Sequence, residues 1–309
     1  MTTPSTTEAR TIPVLVNPGG GSAEKVLEIL RADPRFAVHE TEPKKLAAKI
    51  NELREDGATR IGVSGGDGTV AAAAAALVKT ETELAVIPGG TLNHLARDNG
   101  IPVEPKDAAE LAASGAARPI DVATVNDQLF LNTSSVGAYV SFVRTRERLE
   151  KRMWYWPASI VAGLEMLFRM PSFDVHIESP DQSEVKSYRA SLVFISVGER
   201  NFEKGTFGER TADGHRALHV IVVPNAGLPR LFGMVFAAVF RGMRANLREV
   251  DSFLVDRCRI EMRRPKGNVS RDGEIQRMTA PLEYRYHRDD LRLVSPSPAE
   301  RAPEPILKG

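Results

Sequence analysis

Apolar residues in the first third of the chain form short unbroken runs, alternating with stretches where they recur every three or four positions. Ile12 to Val16 is such a run and predicts a buried strand. Val26, Leu27, Ile29 and Leu30 then predict a helix with Ser22 as its cap. Phe36 to Glu40 predicts a second strand, and Leu46, Ile50 and Leu53 mark one face of the next helix. Thr59 to Val63 predicts a third strand, Ala71 to Leu77 is strongly helical, and Leu84 to Ile87 predicts a fourth strand. This β-α-β-α rhythm predicts an open, mostly parallel sheet flanked by helices.

After about residue 130 the rhythm changes. Arg189 to Val197, Leu218 to Val223, Phe253 to Met262 and Leu282 to Arg288 read as strands without a helix after each. Two helical stretches interrupt them, near Met153 to Met170 and near Leu228 to Leu247. The fold class expected is α/β, with an open, mostly parallel domain over 11–133 and a β-rich, sandwich-like domain over 134–294. Ser295 to Gly309 holds four prolines and few large apolar groups, which predicts a disordered tail.

The 309 residues suffice for two domains, and 42% hydrophobic content can fill two ordinary cores. A formal net charge of +1 gives no reason to expect a nucleic-acid partner. The single cysteine, Cys258, excludes an internal disulfide framework, a cysteine-rich zinc site and a Cys-x-x-Cys redox pair, and suits a reducing cytosol. Met1 to Arg10 is polar and Thr-rich, unlike a signal peptide. The longest apolar run, Leu231 to Phe240, is about half of what a membrane-spanning helix requires, so membrane contact is expected to be peripheral.

Three glycine-rich loops follow predicted strands: Asn17-Pro18-Gly19-Gly20-Gly21-Ser22, Ser64-Gly65-Gly66-Asp67-Gly68-Thr69 and Pro88-Gly89-Gly90-Thr91-Leu92-Asn93. In parallel α/β sheets, loops at the carboxyl ends of strands form the ligand edge. Glycine lets backbone approach a ligand closely, and the helix after each loop offers free N–H groups to an anion. Asp67 would repel phosphate by itself, so it either orients a hydroxyl, a base or a metal, or serves a tight turn. No Gly-Lys pair occurs, which excludes a Walker-type loop, and no Gly-x-Gly-x-x-Gly follows the first strand. Protein-kinase signatures, a Gly-x-Ser-x-Gly elbow and a His-Glu-x-x-His pair are also missing.

Taken in order, these loops with Ala96-Arg97, Ile101-Pro102 and the late Asp272-Gly273-Glu274 resemble the diacylglycerol kinase catalytic domain family, which includes sphingosine kinases and bacterial lipid kinases. Gly-Gly-Asp-Gly-Thr alone is shared with NAD kinases; the ordered set is more specific, and the likeness runs from about Ile12 to Val294. The resemblance implies two domains with ATP and the acceptor in the cleft between them. By position, Asn17, Pro18, Gly19, Gly20, Gly21, Thr41, Gly65, Gly66, Asp67, Gly68, Thr69, Gly90, Thr91 and Asn93 would line the ATP site. Asp272 would be the general base, with Asp67 the other carboxylate able to take that role, and Glu274 would orient it or help hold magnesium. Asp213 falls where bacterial members have a magnesium-binding acidic loop, and Asp121 matches a family aspartate at the domain junction. Asp272-Gly273 is also an ordinary hairpin-turn signal. Two departures concern the metal: His94 follows Asn93 where many members have aspartate, and Leu218 is followed by His219 where Leu-Asp is common. A histidine cannot replace a carboxylate near magnesium at neutral pH, and either one can be purely structural.

The apolar set Ile160, Val161, Leu164, Leu167 and Phe168 follows Trp154, Tyr155 and Trp156, and would line an acyl-chain slot or form ordinary core. Arg144, Arg146, Arg148, Lys151 and Arg152, and farther on Arg241, Arg244 and Arg248, would attract anionic headgroups or form solvated helix faces. The expectation is an ATP- and Mg2+-dependent kinase acting on diacylglycerol or a similar lipid alcohol, cytoplasmic and peripheral at the inner face of the membrane. The alternatives are a kinase for a soluble acceptor, NAD kinase-like, or a non-catalytic nucleotide or lipid sensor. A homodimer is left open.

Overall fold

A computed structural model describes residues 11–137, 173–178, 186–201, 209–211, 214–224, 251–262 and 264–297. The two helical stretches expected within 153–170 and 228–247, with their aromatic and basic residues, lie outside these, as does Asp213. By internal contacts the chain forms two units, residues 1–120 with 289–309, and 121–288.

In the first unit, strands β1 (Ile12–Val16), β2 (Phe36–Glu40), β3 (Arg60–Gly65) and β4 (Glu83–Pro88) stand in the order β2-β1-β3-β4, all parallel. Val14, Leu15 and Val16 are fully buried, as expected of a strand covered on both faces. Helices α1 (Ala23–Arg31), α2 (Leu46–Glu55), α3 (Asp67–Leu77), α4 (His94–Asp98) and α5 (Pro105–Ser114) supply the cover. Val26 and Leu30 of α1, and Leu46, Ile50 and Leu53 of α2, are buried at their helical spacing. Each such side chain contributes about 1.5–3 kcal/mol of burial. Gly62 is the floor of this packing: a Cβ there would lie 2.8 Å from a Val14 methyl on the neighbouring strand. Arg60 ties α5 to the sheet, pairing with Glu83 at 2.7 Å and donating to the carbonyls of Ala112 at 2.9 Å and Gly115 at 2.8 Å. The open carbonyl end of α5 is thereby satisfied.

The chain continues through β5 (Ala117–Val125), β6 (Gln128–Phe130), β7 (Thr133–Gly137), β8 (Phe173–Glu178), β9 (Lys186–Val197), the short β10 (Arg200–Asn201) and β11 (Glu209–Arg210), β12 (Leu218–Pro224), β13 (Asp251–Val255), β14 (Arg257–Ile260), β15 (Lys266–Arg271), β16 (Glu274–Thr279) and β17 (Leu282–Val294). In the second unit the main path is β16-β15-β7-β9-β8-β14-β17, antiparallel throughout, with β12 on β9 and β13 on β12. Its core gathers Phe130, Val193, Ile195, Leu218, Val220, Ile260, Leu282 and Tyr284. The Phe253 to Met262 segment is two strands, not one. β13 pairs with β12, while β14 pairs with β17 and β8, and Asp256 separates them. The units divide after Ile120, earlier than the change of rhythm near 133, because residues 121–130 already pair as an antiparallel hairpin. The end of β17 returns to the first unit, where Leu293 sits in parallel register with Leu84. Ser295, expected in a disordered tail, is buried and its N–H donates to the Ala116 carbonyl at 3.3 Å. Among the described residues, no helix is long and apolar enough to cross a membrane.

Candidate functional site

Strands β1, β3 and β4 are parallel neighbours, so their carboxyl ends deliver all three glycine loops to one edge. There they line a groove of about 460 Å³, formed by Asn17, Gly19–Gly21, Ser22, Gly66, Gly68, Thr69, Gly89, Gly90 and Thr91. Hydrogen bonds lock the loops to one another. Asn17 accepts the Gly19 N–H at 3.0 Å and donates its amide to the Thr69 hydroxyl at 3.4 Å. Gly89 N–H donates to the Gly65 carbonyl at 2.9 Å. The Ser22 hydroxyl donates to the Gly89 carbonyl at 3.3 Å, so Ser22 stands at the cap position of α1 without capping it and instead joins the first loop to the third.

Asp67 is the hub between the second and third loops. Its two carboxylate oxygens accept the Asn93 N–H at 3.0 Å and the His94 N–H at 2.8 Å, the first N–H groups of α4. The Asn93 side chain in turn accepts the Gly90 N–H at 3.0 Å and donates to the Gly90 carbonyl at 2.8 Å. Asn93 takes a left-handed φ of 50°, a conformation asparagine tolerates better than most residues. In α3, the first N–H to reach back into the loop is that of Val70, to the Gly66 carbonyl at 3.1 Å. The N–H groups of the first turn, at Asp67, Gly68 and Thr69, therefore have no intrahelical acceptor and face the groove end of the helix.

Of the residues expected at a nucleotide, Asn17, Gly19, Gly20, Gly21, Gly66, Gly68, Thr69, Gly90 and Thr91 are gathered on this groove, and Gly65, Asp67 and Asn93 belong to the same loops, bonded to them, without being part of the lining. Pro18 belongs to the first loop but not to the lining. Thr41 is not on the groove either: it is buried past the end of β2, with its N–H on the Val16 carbonyl at 2.9 Å and its hydroxyl on the His39 carbonyl at 3.3 Å. Ser22 and Gly89 line the groove without having been singled out; the signal available was their position within the loops themselves.

The second unit carries the other acidic residues. Asp272 and Gly273 form the two-residue turn of the β15–β16 hairpin, with Arg271 opposite Glu274 and φ of 45° and 88° at the two turn positions. Those values are those of a type I′ turn. The turn projects the Asp272 carboxylate onto the β6–β7 loop, where it accepts the N–H groups of Leu131 at 2.7 Å, Asn132 at 2.8 Å and Thr133 at 3.0 Å. Its own N–H returns to the Thr133 carbonyl at 2.8 Å. Burial pushes the Asp272 carboxyl above the usual carboxylate range, against the downward pull of these donors and of Arg271. Glu274, one residue past the turn, is exposed. Asp121 is almost fully buried and accepts the Tyr286 hydroxyl at 2.6 Å and the Arg216 guanidinium through both oxygens, with Arg210 at 3.5 Å.

Among the described residues, no group of three or more His, Cys, Asp or Glu side chains is placed to hold a metal ion. Asp67 does fit a magnesium ion that takes most of its ligands from phosphate and water. Each of its oxygens spends one acceptor site on a backbone N–H and keeps another.

An open parallel sheet whose glycine loops and helix N-termini meet at one edge defines an anion-binding α/β domain of the nucleotide-kinase kind. Residues 11–125 match the model of the diacylglycerol kinase catalytic domain. A diacylglycerol kinase of Bacillus subtilis is 30% identical over 231 residues, 74% of each chain. An uncharacterised protein of Synechocystis is 28% identical over 61% of this chain, which spans only 47% of that protein's length. A crystal structure of a diacylglycerol kinase from Bacillus anthracis superposes with a TM-score of 0.66 at 22% identity, covering 94% of this chain and 97% of that one. The chain belongs to the diacylglycerol kinase family.

Proposed function

We propose that the protein transfers the terminal phosphoryl group of ATP to the hydroxyl of a lipid alcohol of the diacylglycerol class, presented at a membrane surface. The observation that carries this reading is the groove itself, which three glycine loops cross-tied by Asn17, Ser22 and Asp67 line at the N-terminal end of α3. Phosphoryl transfer asks for positioning and charge neutralisation more than for covalent help from the protein.

In the proposed step the acceptor oxygen attacks the γ-phosphorus. The bond from that phosphorus to the β–γ bridging oxygen breaks, and ADP leaves with the electron pair. The acceptor's proton passes to the Asp272 carboxylate, whose affinity for protons burial has raised. Backbone N–H groups of the first turn of α3 hold the phosphates, and the side-chain-free glycines of the loops let them approach. Magnesium, held on the protein side by Asp67, would supply neutralisation of the β- and γ-phosphate charge. The lipid as acceptor is supported by the Bacillus subtilis relative, named for diacylglycerol.

The test is incubation of the protein with γ-labelled ATP and Mg2+, in parallel with diacylglycerol-containing vesicles and with NAD. Label is expected in the organic phase of the vesicle reaction. Label in NAD alone would remove the lipid acceptor and leave a soluble-acceptor kinase.

A further inference from the structure

Strand β6 is an edge strand: it pairs with β5 and with no other described strand. The β5–β6 hairpin closes on Val125 and Gln128, so these two form the hydrogen-bonded pair. Leu129, one residue on, therefore turns its N–H and its carbonyl away from β5. Leu129 is buried, and a buried carbonyl needs a donor. Arg271, the last residue of β15, supplies one by donating its guanidinium Nη1 to the Leu129 carbonyl.

The next residue grips the same segment in the opposite sense. Asp272 Oδ1 accepts the N–H groups of Asn132 at 2.8 Å and Thr133 at 3.0 Å, which uses both of its lone pairs. Oδ2 accepts a single N–H, that of Leu131 at 2.7 Å, and keeps its other lone pair. Beyond Leu131 the segment is fixed independently, by the Asp272 N–H on the Thr133 carbonyl at 2.8 Å and the Val197 N–H on the Asn132 carbonyl at 2.9 Å. Before Leu131, the hairpin's hold is the Arg271 guanidinium. The placement does not suit the arginine itself, since its Nε is buried with no partner among the described residues.

We infer, resting on the reading of Asp272 as the base, that Arg271 is a positioning residue of the proposed transfer. By holding the Leu129 carbonyl it keeps the Leu131 N–H on Oδ2, and so aims the lone pair that takes the acceptor's proton. The bond is charge-assisted, hence of the stronger kind, and it consumes no lone pair of the base. A clamp made by Asp272 alone would have to spend that lone pair on the loop.

Arg271→Met, Arg271→Lys and Ser134→Ala, each in the full chain, test this with γ-labelled ATP, Mg2+ and diacylglycerol-containing vesicles. Arg271→Met should lower kcat by about 10- to 100-fold, the effect of a misplaced reacting group, and leave KM for ATP unchanged. Arg271→Lys keeps a charged donor and should recover most of that loss. Ser134→Ala removes a hydroxyl paired with Tyr284 from the neighbouring strand β7, and should lower the urea midpoint while kcat holds. Amide exchange at Leu131, read by NMR without substrate, should speed by about tenfold or more in Arg271→Met, as when a hydrogen bond to a charged group loosens. An Arg271→Met protein with wild-type exchange at Leu131, or with wild-type kcat beside an inactive Asp272→Asn, would overturn the inference and leave the base reading standing. So would a kcat loss in Ser134→Ala that tracked its midpoint, since the arginine's effect would then be one of stability alone. Asp272→Asn at wild-type kcat would instead remove the base, and the inference with it.

Discussion

Gly90→Ala is the sharpest test of the groove, because it perturbs the contact between two loops without removing a polar group. An added Cβ would lie 2.7 Å from the Gly66 Cα and 3.1 Å from the Asn93 Oδ1. Carbon atoms in contact prefer about 3.5–4.0 Å, so the third loop must retreat by about 1 Å. Nothing at that point can give way by rotamer, since the obstructing atom is backbone. The retreat strains the Gly90 N–H bond to Asn93 and, through it, the grip of Asp67 on Asn93 and His94. Overpacking of this kind costs about 1–3 kcal/mol of stability. A misplacement of about 1 Å in a positioning element costs about 10²-fold in turnover. Gly21→Ala is the matched control for stability, because a Cβ there meets no atom within 4 Å. The measurements are kcat/KM for ATP with a lipid acceptor and the urea midpoint of each variant. Gly90→Ala should lose both, while Gly21→Ala should keep the wild-type midpoint. A Gly90→Ala protein with unchanged midpoint and unchanged kcat/KM would show that the loops do not need their observed separation, and the groove argument would fail with it.

Three further outcomes are expected. Asp272→Asn should lower the urea midpoint as well as turnover, since an amide nitrogen placed toward the Leu131 N–H sets donor against donor; the cost is about 1 kcal/mol net, because the neutral amide also sheds the penalty of burying a charge. Burial holds the His219 imidazole below its ordinary 6.5, so the folded state binds fewer protons than the unfolded one. Stability should therefore be complete above pH 6.5 and decline as pH falls from there toward the folded value, and His219→Ala should flatten that decline in denaturant titrations run across the same range. The Cys258 thiol is fully buried and pushed up to about 12, so a thiol reagent at neutral pH should react with it only after denaturant unfolds the second unit, and rapid labelling of the native chain would contradict the core packing.

The first unit was legible because parallel strands covered on both faces must be continuous apolar runs. Ile12–Val16 and Glu83–Pro88 announce themselves, and the glycine loops mark where each ends. The second unit hides part of its sheet. β7 reads Thr-Ser-Ser-Val-Gly, yet Ser134 and Ser135 are buried, with the Ser134 hydroxyl paired to the Tyr284 hydroxyl at 3.1 Å. β15 and β16 are similarly polar, and such strands carry no hydrophobic period to find. Tertiary partners were equally invisible. Nothing local to Asp67 says that it will clasp the start of a helix 26 residues on, and nothing in Ser22 says that its hydroxyl will abandon its own helix for Gly89.

In the proposed reaction Asp272 is both a turn residue and the base, and the two roles need not compete. The type I′ turn requires left-handed φ at its first position, which aspartate tolerates, and that backbone is what swings the side chain onto the β6–β7 loop. A carboxylate offers about four lone-pair sites, and the N–H groups of Leu131, Asn132 and Thr133 occupy three of them. One site is left. That is too few for a metal ion and a substrate together, and enough for a single hydroxyl. The three donors also fix the oxygens in place, so the remaining lone pair has a defined direction, while burial raises its appetite for a proton. A residue committed first to a hairpin thus keeps, by the same contacts, one lone pair on Oδ2, and in the proposed reaction that lone pair takes the acceptor's proton.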